Sequence, residues 1–145
     1  MNTQPTIYRI LNFIKRRGDL PEEEFYAHWQ NVHAALVAPW AVKHGFVGYT
    51  QVATPMPLRE TYSTAAPPPF NGPMDYDGYV EWRVSSLEGF VQAFQDPYYQ
   101  ETVEPDERRF IEKKNVVLAG TMGVEMVVVQ DGRIMEGTGK QMQKM

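Results

Sequence analysis

The chain has no cysteine in its 145 residues. That excludes disulfides, zinc–thiolate sites, iron–sulfur clusters and a cysteine nucleophile. No apolar run approaches the roughly 20 residues of a membrane-spanning helix. The N-terminal stretch Met1-Asn2-Thr3-Gln4-Pro5-Thr6 has neither the basic region nor the apolar core of a secretory signal. A soluble, cytoplasmic protein is expected. Positive charge is scarce: 14 Lys and Arg stand against 18 Asp and Glu, for a net charge of −4. The short cluster Lys15-Arg16-Arg17 is too small to hold a polyanion, so neither nucleic acid nor an anionic membrane is expected as a partner. Also missing are a His-Glu-x-x-His motif, a Gly-x-Gly-x-x-Gly or Walker loop, and a nucleophile elbow. Metal, nucleotide and serine-hydrolase chemistry therefore have no motif behind them.

What is present suits one domain over residues 1–145, with 43% apolar residues to form a single core. Ile7 to Ile14 reads as a strand with apolar residues on both faces, Ile7, Leu11 and Phe13 on one and Tyr8, Ile10 and Ile14 on the other. Such a strand should be covered on both sides. A helix should start near Pro21 and run to about Val37, with a kink or break at Ala38 imposed by Pro39. A short helical piece then carries Trp40 to His44 and ends at Gly45. Further strands are expected at Phe46–Val52, Tyr76–Val84 and Met122–Gln130. Helices are expected at about Ser85–Gln95 and Glu104–Lys113. Residues 53–74 hold six prolines and read as an irregular insertion, mobile or lid-forming. Residues 137–145 read as a loose tail. The order β-α-β-β-α-β is the α+β, ferredoxin-like arrangement. Its helices cover one sheet face, so a second copy packed sheet to sheet would cover the other. A homodimer is expected.

The first long helix carries two of the three histidines. At about 100° per residue, Phe25, Trp29, Val32 and Leu36 form one apolar stripe, with His33 just off one edge and His28 off the other. His28 and His33 are then roughly 140° apart, unsuited to sharing a metal. In the third strand, Tyr76, Gly78, Val80, Trp82 and Val84 should face the helices. Asp77, Tyr79, Glu81 and Arg83 should face the opposite way, either toward a polar ligand or as an ion-pair ladder. Tyr49 in the second strand is expected to aim its hydroxyl into that same space.

The pattern Leu20-Pro21-Glu22-Glu23-Glu24-Phe25, His28-Trp29 and His33 resembles the first helix of the EthD-like family. Asp77-Gly78, Phe94-Gln95-Asp96-Pro97-Tyr98-Tyr99 and Pro105-Asp106-Glu107 with Phe110 extend the resemblance over about Tyr8 to Val128. It is closest to the family's fungal branch, found beside aromatic polyketide pathways. The resemblance implies a dimeric α+β barrel and no cofactor. It implies a lyase role, dehydration or decarboxylation, on an aromatic polyketide such as an anthraquinone-precursor carboxylic acid. The family's first-helix histidine maps onto His33. A polyketide cyclase, a cofactor-free oxygenase and a non-enzymatic ligand-binding barrel are the alternatives.

Either lyase reaction needs only positioned acids and bases. His33 is the expected acid–base residue, with Tyr49 as second proton-transfer group, Asp77 orienting the imidazole and His28 in reserve. Tyr8, Asn12, Trp29, Tyr79 and Glu81 are the expected substrate-binding residues. No metal ligand is expected. His44 reads as a structural residue at a helix C-terminus.

Overall fold

The computed structural model describes residues 5–114 and 118–139. Four antiparallel strands form one sheet: β1 (Tyr8–Ile14), β2 (Gly48–Ala53), β3 (Gly78–Val84) and β4 (Gly120–Val124), in the order β2-β3-β1-β4. This is the ferredoxin-like order expected from the sequence. Alternation decides which side is covered. Ile10, Ile14, Val80, Trp82 and Val84 are buried beneath the helices, as the parity of β3 predicts. Tyr79, Glu81 and Arg83 point to the other face, and Tyr76, expected on the covered side, joins them: it precedes the strand, so strand parity does not bind it, and its ring packs on Phe13 at 5.4 Å.

The first helical segment departs from the sequence expectation in two ways. It runs from α1 (Glu22–His28) through a π-helical turn (Trp29–His33) into α2 (Ala34–Lys43), with Pro39 inside it and no break at Ala38. Pro39 cannot donate one turn back, and its ring crowds that turn. The Leu36 carbonyl in that turn accepts the Tyr98 hydroxyl at 2.7 Å, which ties the turn to the second half of the chain. The second departure is one of period. A π turn closes over five residues instead of four, which retards the helix face. Buried residues recur every fourth position, at Phe25, Trp29, His33, Val37 and Ala41. His33 therefore lies on the buried stripe rather than beside it, and Val32, expected on the stripe, is 45% exposed. The helix ends as its sequence asks: Gly45 takes φ +74, and the Phe46 and Gly45 amides donate to the Ala41 and Val42 carbonyls.

Residues 53–74 are not irregular throughout. They contain α3 (Met56–Ala65). Five of the six prolines lie at its two ends: Pro55 and Pro57 start the helix, where a missing N–H costs nothing, and Pro67 to Pro69 follow its last turn, with Pro73 further on. The second half of the chain adds α4 (Leu87–Ala93), then a second π turn (Tyr99–Val103) leading into α5 (Glu104–Phe110). The last long strand expected at Met122–Gln130 is shifted and divided. β4 ends at Val124, and a separate hairpin follows, β5 (Val129–Gln130) and β6 (Arg133–Ile134). Asp131 and Gly132, both at positive φ, make its two-residue turn. Of the expected tail, residues 140–145 lie outside the described residues.

Trp29 is the centre of this packing. Its ring contacts Phe25 and Tyr26, and it lies against Gly78 so closely that a Cβ there would sit 2.7 Å from the indole. Trp29→Ala should lower stability by about 3–5 kcal/mol. Gly78→Ala should lower it by about 1–3 kcal/mol through overpacking. Urea unfolding monitored by circular dichroism measures both, and a midpoint unchanged in either variant would contradict this packing.

Candidate active site

The two π turns bring the polar residues of the site together. In a π turn, residues five apart lie on one face, so His28 and His33 converge instead of diverging. Both meet Asp106 on α5. The carboxylate is buried, His33 Nδ1 lies 2.8 Å from one oxygen, and His28 Nε2 lies 3.0 Å from each. Arg109 stands further off, at 3.7 Å. The Phe110 ring packs edge-on against His33 and also contacts His28. A buried carboxylate can only accept, so His33 presents Nδ1–H to Asp106 and its other ring nitrogen carries the lone pair. Burial is the largest influence on this imidazole and moves its pKa below the ordinary 6.5, although the Asp106 hydrogen bond acts in the opposite direction.

His33 lines a cavity of about 230 Å³ between the sheet and the helices. Asn12, Trp29, Tyr49 and Trp82 also face it. Trp82 Nε1 donates to Asn12 Oδ1 at 2.8 Å, which fixes the amide at the cavity wall. The Tyr49 oxygen accepts from the Gln51 side chain at 2.9 Å, and the same amide donates to the Trp29 carbonyl in the first π turn. This link ties β2 to the helix. Burial pushes the Tyr49 hydroxyl up to about 12, so it holds its proton at neutral pH. On the far wall the Tyr99 hydroxyl donates to Glu107 at 3.1 Å, and burial beside that carboxylate raises its pKa as well. Lys113 pairs with Glu107 at 2.7 Å.

The expected residues thus divide. His33, Tyr49, Asn12 and Trp29 share the cavity, and His28 joins them through Asp106. Tyr49 faces this helix-side cavity, not the opposite sheet face toward which it was expected to point. Asp77 does not orient His33. It is a structural knot: its carboxylate accepts from the Arg16 amide at 2.7 Å and from Arg59 at 3.2 Å, and its carbonyl accepts from Tyr26 and Thr54. Glu81 binds Arg9 on the outer sheet face, where Arg9 and Arg83 also grip Glu125. The ladder reading therefore holds for Glu81 and Arg83, and Glu81 is not a cavity residue. Tyr79 lies on that outer face too. Tyr8 packs against the core at the other end of β1. His44 binds Asp96 at 2.8 Å beside Lys43, a structural contact at the helix end. Asp106, Tyr99, Glu107 and Lys113 were not selected as site residues from sequence. Pro105-Asp106-Glu107 and Tyr98-Tyr99 counted toward the family resemblance, but by themselves they read only as a helical first turn, where acids are ordinary, and as packing aromatics.

The chain that carries this site has known relatives. The domain model described as "EthD domain" matches residues 17–114. The chain belongs to the EthD family. Among its curated relatives is dehydratase aurZ of Gibberella zeae, 29% identical over 119 residues that cover 82% of this chain and 77% of that protein. Decarboxylase claH of Passalora fulva is 27% identical over 122 residues, covering 84% and 78%. Among solved structures, a dimeric ferredoxin-like protein from Bacteroides fragilis aligns with a TM-score of 0.53 at 13% identity, covering 83% of this chain and 96% of that one, a likeness of fold.

His33 should titrate below 6.5 in a histidine NMR titration of the folded protein, because burial outweighs its carboxylate partner. Asp106→Asn should move that midpoint further down, since an amide does not stabilise the imidazolium. A midpoint above 6.5, or an upward move in the variant, would contradict this account of the site.

Proposed function

We propose that this EthD protein is a cofactor-free lyase that removes water or carbon dioxide from an aromatic polyketide intermediate. The observation that carries the reading is the buried Asp106–His33 pair at 2.8 Å, with the ring exposed to the cavity that also holds Tyr49. Relatives named as dehydratase and decarboxylase support it. The two reactions need the same equipment. In dehydration, the free nitrogen of His33 takes the proton next to the carbonyl of a β-hydroxy ketone. The C–H electrons become the new double bond, and Tyr49 protonates the departing hydroxyl. In decarboxylation, a β-keto acid loses carbon dioxide and its electrons pass to the ketone oxygen as an enolate. Tyr49 donates to that oxygen. Asp106 holds the imidazole in the useful tautomer and stabilises its cation once formed. Trp29, Trp82, Phe94 and Tyr99 provide flat apolar walls suited to a planar substrate.

An octaketide carboxylic acid incubated with the protein should yield product lighter by one water or one carbon dioxide. His33→Gln should fold normally and lose about two to four decades of rate, and Tyr49→Phe should lose part of it. In wild type, kcat/KM should be level near neutrality and fall only as pH drops below 6.5, because the base form of His33 persists to lower pH than a free imidazole. Full activity in His33→Gln would remove the acid–base mechanism.

The same reading includes a homodimer. Leu11 and Val52 lie on the sheet face turned away from the helices that bury Ile10 and Val80, outside the lining of the chamber that α3 covers. A second copy packed on that face would shield them. Light scattering at micromolar concentration should return twice the chain mass of 16.7 kDa; a stable monomer would contradict it.

A further inference from the structure

A second, larger cavity lies on the other side of the sheet, with a volume of about 430 Å³. Its floor is aromatic. Phe13 and Tyr79 are cross-strand partners on the face opposite Asn12 and Val80, and Phe13 contacts both Tyr79 and Tyr76 with ring centroids 5.4 Å apart. Its roof is α3 of the same chain, which contributes Leu58, Arg59 and Tyr62. The roof is latched: Arg59 bonds Asp75 at 3.3 Å and Asp77 at 3.2 Å, and the Met56 amide donates to Glu22 at 3.2 Å. Both ends of the guanidinium are committed to these carboxylates, so Arg59 serves the roof and offers no free charge to an anion. Among the described residues none hydrogen-bonds to the hydroxyls of Tyr62, Tyr76 or Tyr79. These three phenols rim a space whose lining is otherwise apolar except for Thr54 and the latched Arg59, whose Nε is buried with no partner among the described residues.

We propose that this cavity is a binding site for a neutral, planar phenolic arene, separate from the His33 cavity. The aromatic floor matches a flat ring system by stacking. The unpaired tyrosine hydroxyls match hydroxyl or carbonyl groups at its edge. Its volume of about 430 Å³ lies in the range of about 300–1,000 Å³ usual for small-molecule sites. The sheet separates the two cavities, so a ligand under α3 does not touch the His33 imidazole. The site goes beyond the proposed reaction and stands without it.

The test is equilibrium dialysis of dihydroxyanthraquinone against the full-length protein. Leu58→Trp, a change at a largely exposed position of the roof, fills the cavity and should lower the number bound by one per chain. It should leave turnover of the octaketide acid at the wild-type rate. Tyr62→Ala opens one wall and should weaken that same equivalent about tenfold. Folding of both variants is checked by circular dichroism. If neither variant changes stoichiometry or affinity, the site under α3 is overturned. That result would leave the acid–base reading standing, just as an active His33→Gln variant would leave this site standing.

Discussion

A single buried carboxylate organises the helical layer. Asp106 cannot remain charged in a dry interior without donors close to it, and the chain supplies two histidine nitrogens at 2.8 and 3.0 Å. Both histidines come from a helical segment far away in sequence. The contact therefore docks α5 onto the first π turn and fixes the orientation of His33 at the same time. Removing the donors altogether would leave an uncompensated buried charge, a penalty of about 3–5 kcal/mol, whereas a side-chain amide in place of His33 keeps a donor on the carboxylate. The same interaction that closes the fold also prepares the imidazole, so stability and chemistry are coupled through one side chain.

The π turns are the geometric condition for that contact. A regular α-helix would carry His28 and His33 apart, and only one could reach Asp106. Widening the turn over Trp29–His33 places them together and keeps Trp29 and Val37 on the buried stripe. The second π turn, Tyr99–Val103, precedes α5 and sets Tyr99 against Glu107 across the same cavity. Gln51 then fastens the Trp29 carbonyl to Tyr49, so the sheet, the first π turn and the phenol move as one unit.

The two faces of the sheet have different tasks. The helix side is apolar except at the cavity, where each polar group has a defined partner or faces the open space. The outer side carries the network of Arg9, Glu81, Arg83 and Glu125, which lets charged residues occupy a sheet face without isolated charges. At the end of that face, α3 roofs a separate aromatic chamber. The knot at Asp77 holds this end together: it joins the exit of β1 through Arg16, the first helix through Tyr26 and the roof through Arg59. A residue that looked like a catalytic carboxylate is thus committed to architecture.

The element order, the covered and open faces of β3 and the Gly45 helix stop were legible in the sequence. They depend on local period and turn chemistry, which neighbouring residues carry within themselves. Tyr49 and Asn12 were legible as candidates because strand parity limits where a side chain can point, although parity alone put Tyr49 on the wrong face. The convergence of His28 with His33 was not legible, because the reading assumed 3.6 residues per turn and the helix widens there under tertiary packing. Neither was the identity of their partner. Asp106 lies 73 residues beyond His33, and nothing local distinguishes it from any other acid in a helical first turn. Only the docking of α5 against the first helix chose Asp106 over Asp77, because a buried carboxylate takes the role that the nearest donors give it.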